Sequence, residues 1–433
     1  MELEISKNDS DYMYNLIKDI ILQCGPRMPC SEQEAKGSEI IKQQFEKICD
    51  EVDVESFTCH PKAFLGWIRV VMIMLVISIF GTMLSSVITV IYWNIIISVI
   101  SFSLVTIAIE IMWEEFFNYH ELIDPIFRKQ SSQNVIGTFK KGERNKIIII
   151  SAHIDSALQF NLLKILRWGF LIVAFTGILI ILFWTVISFI YLIIMVIGFY
   201  TLNNIFFGIS IWTLIIGSPF IIALFFFVPI GDRGNVVPGA VDNLSGCAVL
   251  IGISRFLNIH QDLIPKDSEI RLIAFGCEEA GLRGAYRYVS SHLDELKEIE
   301  TYILNLDGLE TPDKLHVIEY EPTTRTWHSQ EMVNKVLEAA KNANIDVKRL
   351  GSGKLEKTLG RLSGGSDAAA FSKAGIKAAF LNSADWKTRS SYYHQSEDTF
   401  DKIKKGTLEN ALKICLNFIK NEKLVNKGGK GGD

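Results

Sequence analysis

The sequence predicts an α/β fold, in which a mostly parallel central sheet is flanked by helices and two apolar helical hairpins are inserted. Two observations lead to this prediction. Continuous Ile, Val and Leu runs of strand length alternate with helical patterns along most of the chain, which is typical of parallel sheets covered on both faces. Two other segments, 70–109 and 168–231, contain no Asp, Glu, Lys, Arg or His. Each is long enough for at least two membrane spans of about 20 residues.

The first predicted elements are two helices and a strand. Residues 10–24 carry apolar side chains at helical spacing and stop at Gly25-Pro26, a combination that ends helices. Ser31 and Glu34 have the spacing of a capping box at the start of a second helix. Around 52–54 the pattern changes to alternation of Val with acidic residues, which indicates a strand.

The later elements alternate between buried strands and helices. Further apolar runs of strand length occupy 135–139, 147–152, 270–275, 302–306, 315–318 and 378–381. Helical patterns lie at 245–258, 282–293, 328–344, 366–375 and 404–420. We therefore expect a single α/β domain built from segments 1–62, 114–165 and 232–422. The segments 63–113 and 166–231 are the two predicted transmembrane hairpins, and 423–433 is a predicted disordered tail.

The uncharged segments are best explained as membrane anchors. Core helices of soluble proteins seldom run through 70–109 or 168–231 without a charge. A transporter would need polar or ionisable groups that line a pathway inside its spans. These segments contain only scattered Ser, Thr and Asn, none of which is ionisable. Thr201, Asn203 and Asn204 form the clearest polar break in the second segment. The sequence thus predicts an integral membrane protein in contact with the lipid bilayer.

The overall charge and the cysteine content exclude two further classes. With a formal net charge of −4 and no long Lys/Arg block, the chain lacks the basic surface that nucleic-acid binding needs. Its seven cysteines are an odd number without regular spacing, so they predict no disulfide framework. Cys277 is interpreted as a small buried residue.

Side chains that commonly bind metals stand at or just after the predicted strands. These are His153, Asp155, Asp242, Glu278, Glu279, Asp307 and His394. Because functional sites of open α/β sheets form at the carboxyl ends of the strands, we expect these residues to converge there. Two imidazoles with several carboxylates form a mixed nitrogen and oxygen set, which suits a divalent ion such as zinc.

The order of these motifs resembles the zinc-dependent exopeptidases of the MH clan, in the family of the secreted bacterial leucine aminopeptidases and the membrane-bound glutamate carboxypeptidases. The matching motifs are Gly25-Pro26-Arg27, 134–138, His153-Ile154-Asp155, 242–246, 278–284, Asp307, Tyr393-His394 and Asp398-Thr399. The resemblance implies two Zn²⁺ ions that share Asp242. It assigns His153 and Asp307 to one ion, and Glu279 and His394 to the other.

The resemblance also implies roles for three further residues. Glu278 would be the general base, since neighbouring residues in an extended chain face opposite sides and Glu279 can then face a metal. Asp155 would accept the second N–H of the His153 imidazole and fix its tautomer. Tyr393 would hydrogen-bond the oxyanion, with Tyr392 as a competing candidate.

The chain departs from the family pattern at two places. The second apolar segment separates His153 from Asp242, which are much closer in sequence in the secreted enzymes. Ala368 stands where many relatives have a histidine that does not bind zinc, so the pocket wall is expected to differ there. We interpret the preceding Ser366 and Asp367 as helix caps.

A shared metal centre restricts the membrane topology. If His153 and Asp242 meet, the insert between them must cross the membrane an even number of times, and its length then gives two spans. If the first insert also crosses the membrane twice, the chain has four spans, and the whole α/β domain lies on one side of the membrane. Basic residues flank the spans on that side, which by the positive-inside rule predicts a cytosolic active site. These residues are Lys62, Arg69, Arg128, Lys129, Lys164, Arg167 and Arg233.

The leading functional hypothesis is a multi-pass membrane zinc aminopeptidase that acts on peptides. Glu278 and Asp307 near the metals could receive the free α-ammonium of a substrate. A carboxypeptidase or a glutaminyl cyclase on the same fold remains an alternative, as does a non-catalytic membrane receptor or scaffold. Retention of all the ligand positions and of Glu278 disfavours the last of these. The sequence leaves the oligomeric state open.

Overall fold

The computed structural model describes residues 3–351, 353 and 364–428. The chain divides into two compact units. The first, here called the sheet unit, comprises Met1–Pro61, Arg128–Gln159 and Arg233–Asp433. The second, the helical unit, comprises Lys62–Phe127 and Phe160–Asp232. The chain thus leaves the sheet unit twice and returns to it each time.

The described residues contain ten strands, all of them in the sheet unit. They are β1 (Glu51–Cys59), β2 (Gln130–Lys141), β3 (Lys146–His153), β4 (Ser268–Phe275), β5 (Glu300–Leu306), β6 (Leu315–Ile318), β7 (Tyr320–Glu321), β8 (Thr326–Trp327), β9 (Val347–Leu350) and β10 (Lys377–Asn382).

Helices of the described residues belong to both units. Those of the sheet unit are α1 (Lys7–Cys24), α2 (Glu32–Glu46), α8 (Ser245–Ile259), α9 (Arg283–Glu298), α10 (Gln330–Asn342), α11 (Asp367–Lys373), α12 (Trp386–Arg389) and α13 (Thr407–Gly428). Those of the helical unit are α3 (Ala63–Val87), α4 (Ile91–Met112), α5 (Asn161–Leu166), α6 (Phe170–Val196) and α7 (Asn203–Phe225).

An eight-stranded sheet with the order β1-β2-β4-β3-β5-β10-β6-β9 organises the sheet unit. Its centre, β4-β3-β5-β10, is parallel. Strands β1 and β2 pair antiparallel at one edge, and β6 pairs antiparallel with β10 near the other. The α/β fold is therefore confirmed, and the sheet that was expected to be mostly parallel is mixed, with a parallel centre.

The apolar run in β3 explains why this strand lies in the middle of the sheet. Ile148 and Ile150 belong to the apolar core on one face, whereas Ile147 and Ile149 belong to the core on the other. Alternate side chains of a strand point to opposite faces, so an uninterrupted isoleucine run fits only a strand that is covered on both sides. The predicted strands and helices are found, most of them within about five residues of their expected bounds, whereas α13 ends eight residues later than expected.

Three short strands, β7, β8 and β9, have no counterpart among the sequence predictions. β7 and β8 form a separate two-residue ladder, and β9 carries Lys348 and Arg349 among its four residues. Segments this short and polar give no periodic signal. The last helix, α13, continues to Gly428, into the segment expected to be a disordered tail, and the rest of that segment lies outside the described residues.

Five helical segments of the described residues are long and apolar enough to cross a membrane. Four belong to the helical unit: Ala63–Val87, Ile91–Asn118, Asn161–Val196 and Tyr200–Phe225. The fifth, Ala240–Ile259, lies in the sheet unit, and 94% of its most apolar window is buried, against 22–44% in the other four. Its apolarity is explained by its position against the central sheet, where it packs in the core.

Neutral polar side chains connect the helices within the helical unit. Ser78 in α3 donates to the carbonyl oxygen of Ser101 in α4 at 2.6 Å. The indole N–H of Trp184 in α6 donates to the Ser78 hydroxyl at 2.9 Å, and the Tyr191 hydroxyl donates to Ser85 at 3.1 Å. Such contacts stabilise helix pairs in an apolar surrounding, where an unpaired polar group is costly.

Candidate metal centre

The parallel centre of the sheet brings three sets of candidate ligands to one edge. His153 is the last residue of β3, Asp307 directly follows β5, and Glu278-Glu279 lie in the turn after β4. Because β4, β3 and β5 are adjacent and parallel, their carboxyl ends lie side by side. The convergence expected from the strand positions is what the structure shows.

Asp242 reaches this edge from the segment before α8. The Asp242–Asn243 peptide is cis, and the Asn243 amide donates to the carbonyl oxygen of Leu306, at the end of β5, at 2.8 Å. The Asp398 carboxylate accepts the backbone N–H groups of Val241 at 2.9 Å and Asp242 at 3.2 Å. These contacts fix the backbone on both sides of the Asp242 carboxylate.

The side-chain donors form two groups that share Asp242. Nε2 of His153 lies 3.2 Å from Oδ1 of Asp242 and 3.6 Å from Oδ1 of Asp307. Nε2 of His394 lies 3.2 Å from the other oxygen, Oδ2 of Asp242, and 3.3 Å from Oε1 of Glu279. In each group one ligand atom per residue lies within 4.8 Å of the others. The two oxygens of Asp242 thus face different histidines.

This donor set fits metal ions. Nε2 of His153 and Oε1 of Glu279 are buried, and among the described residues neither has a hydrogen-bond partner. Burial opposes ionisation of Asp242, but the nearby imidazoles of His153 and His394 lower its pKa and keep it charged. Buried carboxylates and imidazole nitrogens at these separations are an arrangement that zinc binding satisfies.

Asp155 contacts more than the histidine expected from the sequence. Nδ1 of His153 lies 3.2 Å from the Asp155 carbonyl oxygen and 3.5 Å from its Oδ1. The two carboxylate oxygens accept the backbone N–H groups of Glu278 at 3.1 Å and Glu279 at 3.0 Å. The fully buried Asp155 therefore holds the turn that carries both glutamates as well as the imidazole.

Glu278 lies beside the first donor group. Its Oε2 is 3.9 Å from Nε2 of His153. Burial raises its pKa well above the ordinary value, His153 opposes this, and the negative charges of Glu279, Asp367 and Asp307 add to it. A carboxyl group with a raised pKa is suited to accept and return a proton near neutral pH.

Of the two candidate tyrosines, Tyr393 is the one in contact with the centre. Its ring stacks on the His394 ring at a centroid distance of 3.8 Å, whereas Tyr392 is buried in the main apolar core. Burial raises the pKa of Tyr393, Arg389 opposes this, and the carboxylates of Asp242, Glu279 and Asp307 add to it. The phenol therefore keeps its proton at neutral pH and can act as a donor.

Sequence reasoning missed three residues that hold or border the centre. Arg27, which is 0% exposed, donates to the carbonyl oxygens of Ile154 at 2.8 Å and Pro238 at 2.9 Å, so it joins the segments that carry His153 and Asp242. Asp398 holds the second segment as described above. Arg389 places its guanidinium 4.0 Å from the centre of the Tyr393 ring. Arg27 and Asp398 lie in motifs noted from the sequence, but a pattern gives no sign of such long-range contacts.

The cap prediction for Ser366 and Asp367 is wrong in detail. Ser366 precedes α11, but its side chain makes no cap hydrogen bond and instead contacts the Glu321 carboxylate at 2.5 Å. Asp367 is fully buried, and its carboxylate has no hydrogen-bond partner among the described residues. Burial raises the pKa of Asp367 well above its usual range, an effect that His153 opposes.

Comparison with known proteins adds independent evidence for the family. Residues 228–419 match the model described as Peptidase family M28. This segment is therefore similar to peptidase family M28. The matched segment includes Asp242, Glu278, Glu279, Asp307 and His394, that is, most of the candidate centre.

Individual relatives agree with this assignment. The chain is 36% identical over 182 residues to Aminopeptidase YwaD of Bacillus subtilis (strain 168), an alignment that covers 40% of this chain and 35% of that protein. The chain thus spans about a third of the length of this curated relative. In fold it is similar to BSAP, a zinc aminopeptidase from Bacillus subtilis, with a TM-score of 0.52 and 18% identity over 95% of this chain and 94% of that one.

A second structural neighbour carries a different activity. An Acidobacteriales bacterium glutaminyl cyclase matches with a TM-score of 0.52 and 14% identity, over 98% of both chains. At these identities the structures establish the fold alone, and the reaction has to be argued from the residues of the candidate centre.

Proposed function

We propose that this protein is a multi-pass membrane aminopeptidase that uses two zinc ions to remove N-terminal residues from peptides. The observation that carries the proposal is the Asp242 carboxylate, whose two oxygens each lie 3.2 Å from a different histidine. A carboxylate placed between two sets of ligands is what a pair of metal ions requires. The sequence similarity to an aminopeptidase supports the choice of reaction.

The ligands divide between two positions. His153, Asp242 and Asp307 would hold one ion, and Asp242, Glu279 and His394 the other. When bound, the two ions would lower the pKa of a water molecule and polarise the carbonyl group of the scissile bond.

The remaining residues supply proton transfer and orientation. Glu278, whose pKa is raised by burial, would take the proton of the attacking water and return it to the leaving amine. The neutral Tyr393 would donate a hydrogen bond to the oxyanion. The carboxylates of Glu278 and Asp307 would also attract the free α-ammonium of a peptide, which favours cleavage at the N-terminus.

Four spans anchor the enzyme in this proposal. They are the long helices of the helical unit, since Ala240–Ile259 packs inside the sheet unit. The basic residues that flank the spans favour a cytosolic sheet unit. An impermeant thiol reagent tests this orientation: in intact cells, Thr201→Cys should react and Lys266→Cys, an exposed position of the sheet unit, should not. The reverse pattern would place the active site outside.

A carboxypeptidase is the second candidate, and Arg389 is the observation in its favour. Its guanidinium borders Tyr393, where it could receive a substrate carboxylate. Among the described residues of the site, carboxylates outnumber arginines, so we rank the aminopeptidase first. Peptides with blocked termini distinguish the two, because each enzyme requires a different free end.

The deciding experiment is hydrolysis of matched peptides by detergent-purified protein that has been stripped of metal and reloaded with zinc. Free, N-acetylated and C-amidated versions of the same peptides are compared. We expect cleavage of the free and amidated peptides only, dependence on zinc, and a loss of about 10²- to 10⁴-fold in Glu278→Gln. Glu298→Gln, an exposed glutamate of α9, is the control. Cleavage that requires a free C-terminus, or formation of pyroglutamate from N-terminal glutamine, would contradict the proposal.

A further inference from the structure

Three cysteines that are far apart in sequence meet in the sheet unit. Sγ of Cys30 lies 3.4 Å from Sγ of Cys59 and 3.3 Å from Sγ of Cys277. The third pair, Cys59 and Cys277, is separated by 3.7 Å. Cys59 and Cys277 are buried, whereas Cys30 is partly exposed. The cluster is therefore compact and has one member within reach of solvent.

The three segments that supply these cysteines are independent of one another. Cys59 is the last residue of β1, Cys30 precedes α2, and Cys277 lies in the turn between β4 and α9. Positions 30, 59 and 277 show no motif spacing, so no metal site is predicted from the sequence alone.

The Glu34 carboxylate fixes the backbone of two members. Its Oε2 accepts the backbone N–H of Cys30 at 2.7 Å, and its Oε1 accepts the backbone N–H of Cys277 at 2.9 Å. Both cysteines have positive φ values, 60° and 55°, a conformation that is uncommon for residues other than glycine. The expected capping box is therefore half formed: Ser31 caps the N–H of Glu34, but the glutamate side chain holds the cysteines.

The sulfur separations match those of a metal site better than those of a disulfide. With Zn–S bonds of about 2.3 Å and tetrahedral angles, two thiolates on one zinc ion lie roughly 3.8 Å apart. A disulfide needs about 2.05 Å between two sulfurs and would leave the third cysteine unpaired. Three similar distances, 3.3, 3.4 and 3.7 Å, are the pattern of ligands around one point.

The electrostatic surroundings favour a thiolate in the cluster. Hydrogen bonds from Cys277 and Cys30 lower the pKa of Cys59 to about 4, burial opposes this, and the positive charges of Arg283 and Arg287 add to it. Arg283 is 1% exposed. A buried positive charge beside the cluster suits one thiolate, whereas burial raises the pKa of Cys277 well above its ordinary value. The support for a metal site therefore comes from the three sulfur separations.

We propose that Cys30, Cys59 and Cys277 form a second metal site, separate from the candidate zinc pair, that binds one thiophilic cation such as Zn²⁺ or Cu⁺. Soft thiolate ligands select these ions. A tetrahedral zinc would complete its shell on the side of the partly exposed Cys30, whereas Cu⁺ is satisfied by three sulfurs. Since Cys277 directly precedes Glu278, the ion would connect the turn that carries the proposed general base with β1 and with the segment before α2. The role of Glu278 rests on the proposed function, whereas the binding of the ion does not.

Cobalt substitution tests the site without reference to activity. The full chain is purified in detergent, stripped of metal under reducing conditions and reloaded with Co²⁺. Thiolate ligation gives a near-ultraviolet charge-transfer band, which the nitrogen and oxygen ligands of the first centre do not give. We expect the band in the unchanged protein and in Asp242→Asn, and its loss in Cys30→Ser. Cys49→Ser, which removes a partly exposed cysteine outside the cluster, should retain it.

Zinc and copper are tested separately by protection of the thiols. Because Cys30→Ser could disturb folding, this second measurement uses the unchanged protein, loaded with Zn²⁺ or Cu⁺ and treated with an alkylating reagent. Protection of Cys30, Cys59 and Cys277 by either ion supports the site and identifies the ion. The proposal would be overturned if the charge-transfer band were missing or were unaffected by Cys30→Ser. It would also be overturned if neither ion slowed alkylation, or if two of the three cysteines formed a disulfide.

Discussion

The candidate centre of the sheet unit and the helices α3, α4, α6 and α7 of the helical unit bury polar side chains in opposite ways. At the candidate centre of the sheet unit the buried side chains are ionisable, among them His153, Asp155 and Asp242. Within the four long helices of the helical unit, the buried polar side chains are neutral and include Ser78 and Asn94. Burying a charge costs several kcal/mol unless opposite charge or hydrogen bonds compensate. The buried charges of the candidate centre thus lie where bound metal ions would compensate for them.

The partners of these side chains differ as well. Asp155 and Asp398 each accept two backbone N–H groups, so their positions are fixed by the main chain of the sheet unit. The Ser78 hydroxyl donates to Ser101 and accepts from Trp184, and the Tyr191 hydroxyl donates to Ser85, all within the helical unit. A substitution in the first network removes a charged acceptor of two backbone N–H groups, whereas one in the second removes hydrogen bonds between neutral groups. We therefore expect large effects in the sheet unit and small effects in the helical unit.

The largest effect is expected for Asp242→Asn. An amide has one carbonyl oxygen and no charge, so it cannot serve both groups of ligands. Metal-ion polarisation is worth several kcal/mol in the transition state, and hydrolysis should fall by at least about 10³-fold. Zinc content by mass spectrometry and peptide hydrolysis are measured together. The control Asp262→Asn, whose side chain is 77% exposed, should change neither the zinc content nor the hydrolysis. Full activity in Asp242→Asn would contradict the expectation that substitutions at the candidate centre have the largest effects.

The second effect concerns a residue that touches no substrate. Arg27→Lys keeps the positive charge but cannot reach the carbonyl oxygens of Ile154, Pro238 and Gly239 together. Charge-assisted hydrogen bonds contribute roughly 1.5–3 kcal/mol each, so the metal-free protein should lose about 3 kcal/mol of stability. Thermal unfolding measures the loss. An unchanged Tm would mean that the segments of His153 and Asp242 are held by other contacts.

The sequence was sufficient for the parts of the fold that depend on local pattern. The isoleucine run of β3 predicted a strand covered on both faces, and His153, directly after that run, was placed correctly at its carboxyl end. Strand ends also indicated Asp307 and the Glu278-Glu279 pair. These predictions hold because hydrophobic periodicity and strand direction act over a few residues.

Long-range partners were beyond the reach of the same reasoning. Arg27 bonds with carbonyl groups that lie more than a hundred positions away, and the cysteine cluster depends on the packing of three separate segments. The antiparallel pairings of β1 with β2, β2 with β4 and β6 with β10 make the sheet mixed, where a mostly parallel one was expected. A single sequence records none of these pairings, because each is decided by which elements pack together.

Two glycines offer a matched test of rigidity in the two units. A Cβ atom added at Gly284 would lie 2.2 Å from the backbone oxygen of Gly276, whereas one added at Gly177 would lie 2.2 Å from the end of the Leu224 side chain. Backbone in a sheet turn cannot move aside, but a leucine can change rotamer. We expect Gly284→Ala to cost about 1–3 kcal/mol and Gly177→Ala clearly less, as measured by thermal unfolding. Equal losses would show that the helical unit is as rigid as the sheet unit.

The smallest effect is expected for Tyr191→Phe in the helical unit. The phenol donates one hydrogen bond to Ser85, while its ring packs at 4.9 Å from the ring of Phe206 and is retained in phenylalanine. Hydrogen bonds between membrane helices average about 0.6 kcal/mol, so the variant should unfold within about 1 kcal/mol of the parent. Tyr288→Phe is the matched change in the sheet unit, where the hydroxyl accepts a hydrogen bond from the buried Arg271 at 2.7 Å, and it should cost more. A larger loss in Tyr191→Phe than in Tyr288→Phe would reverse the contrast between the two units.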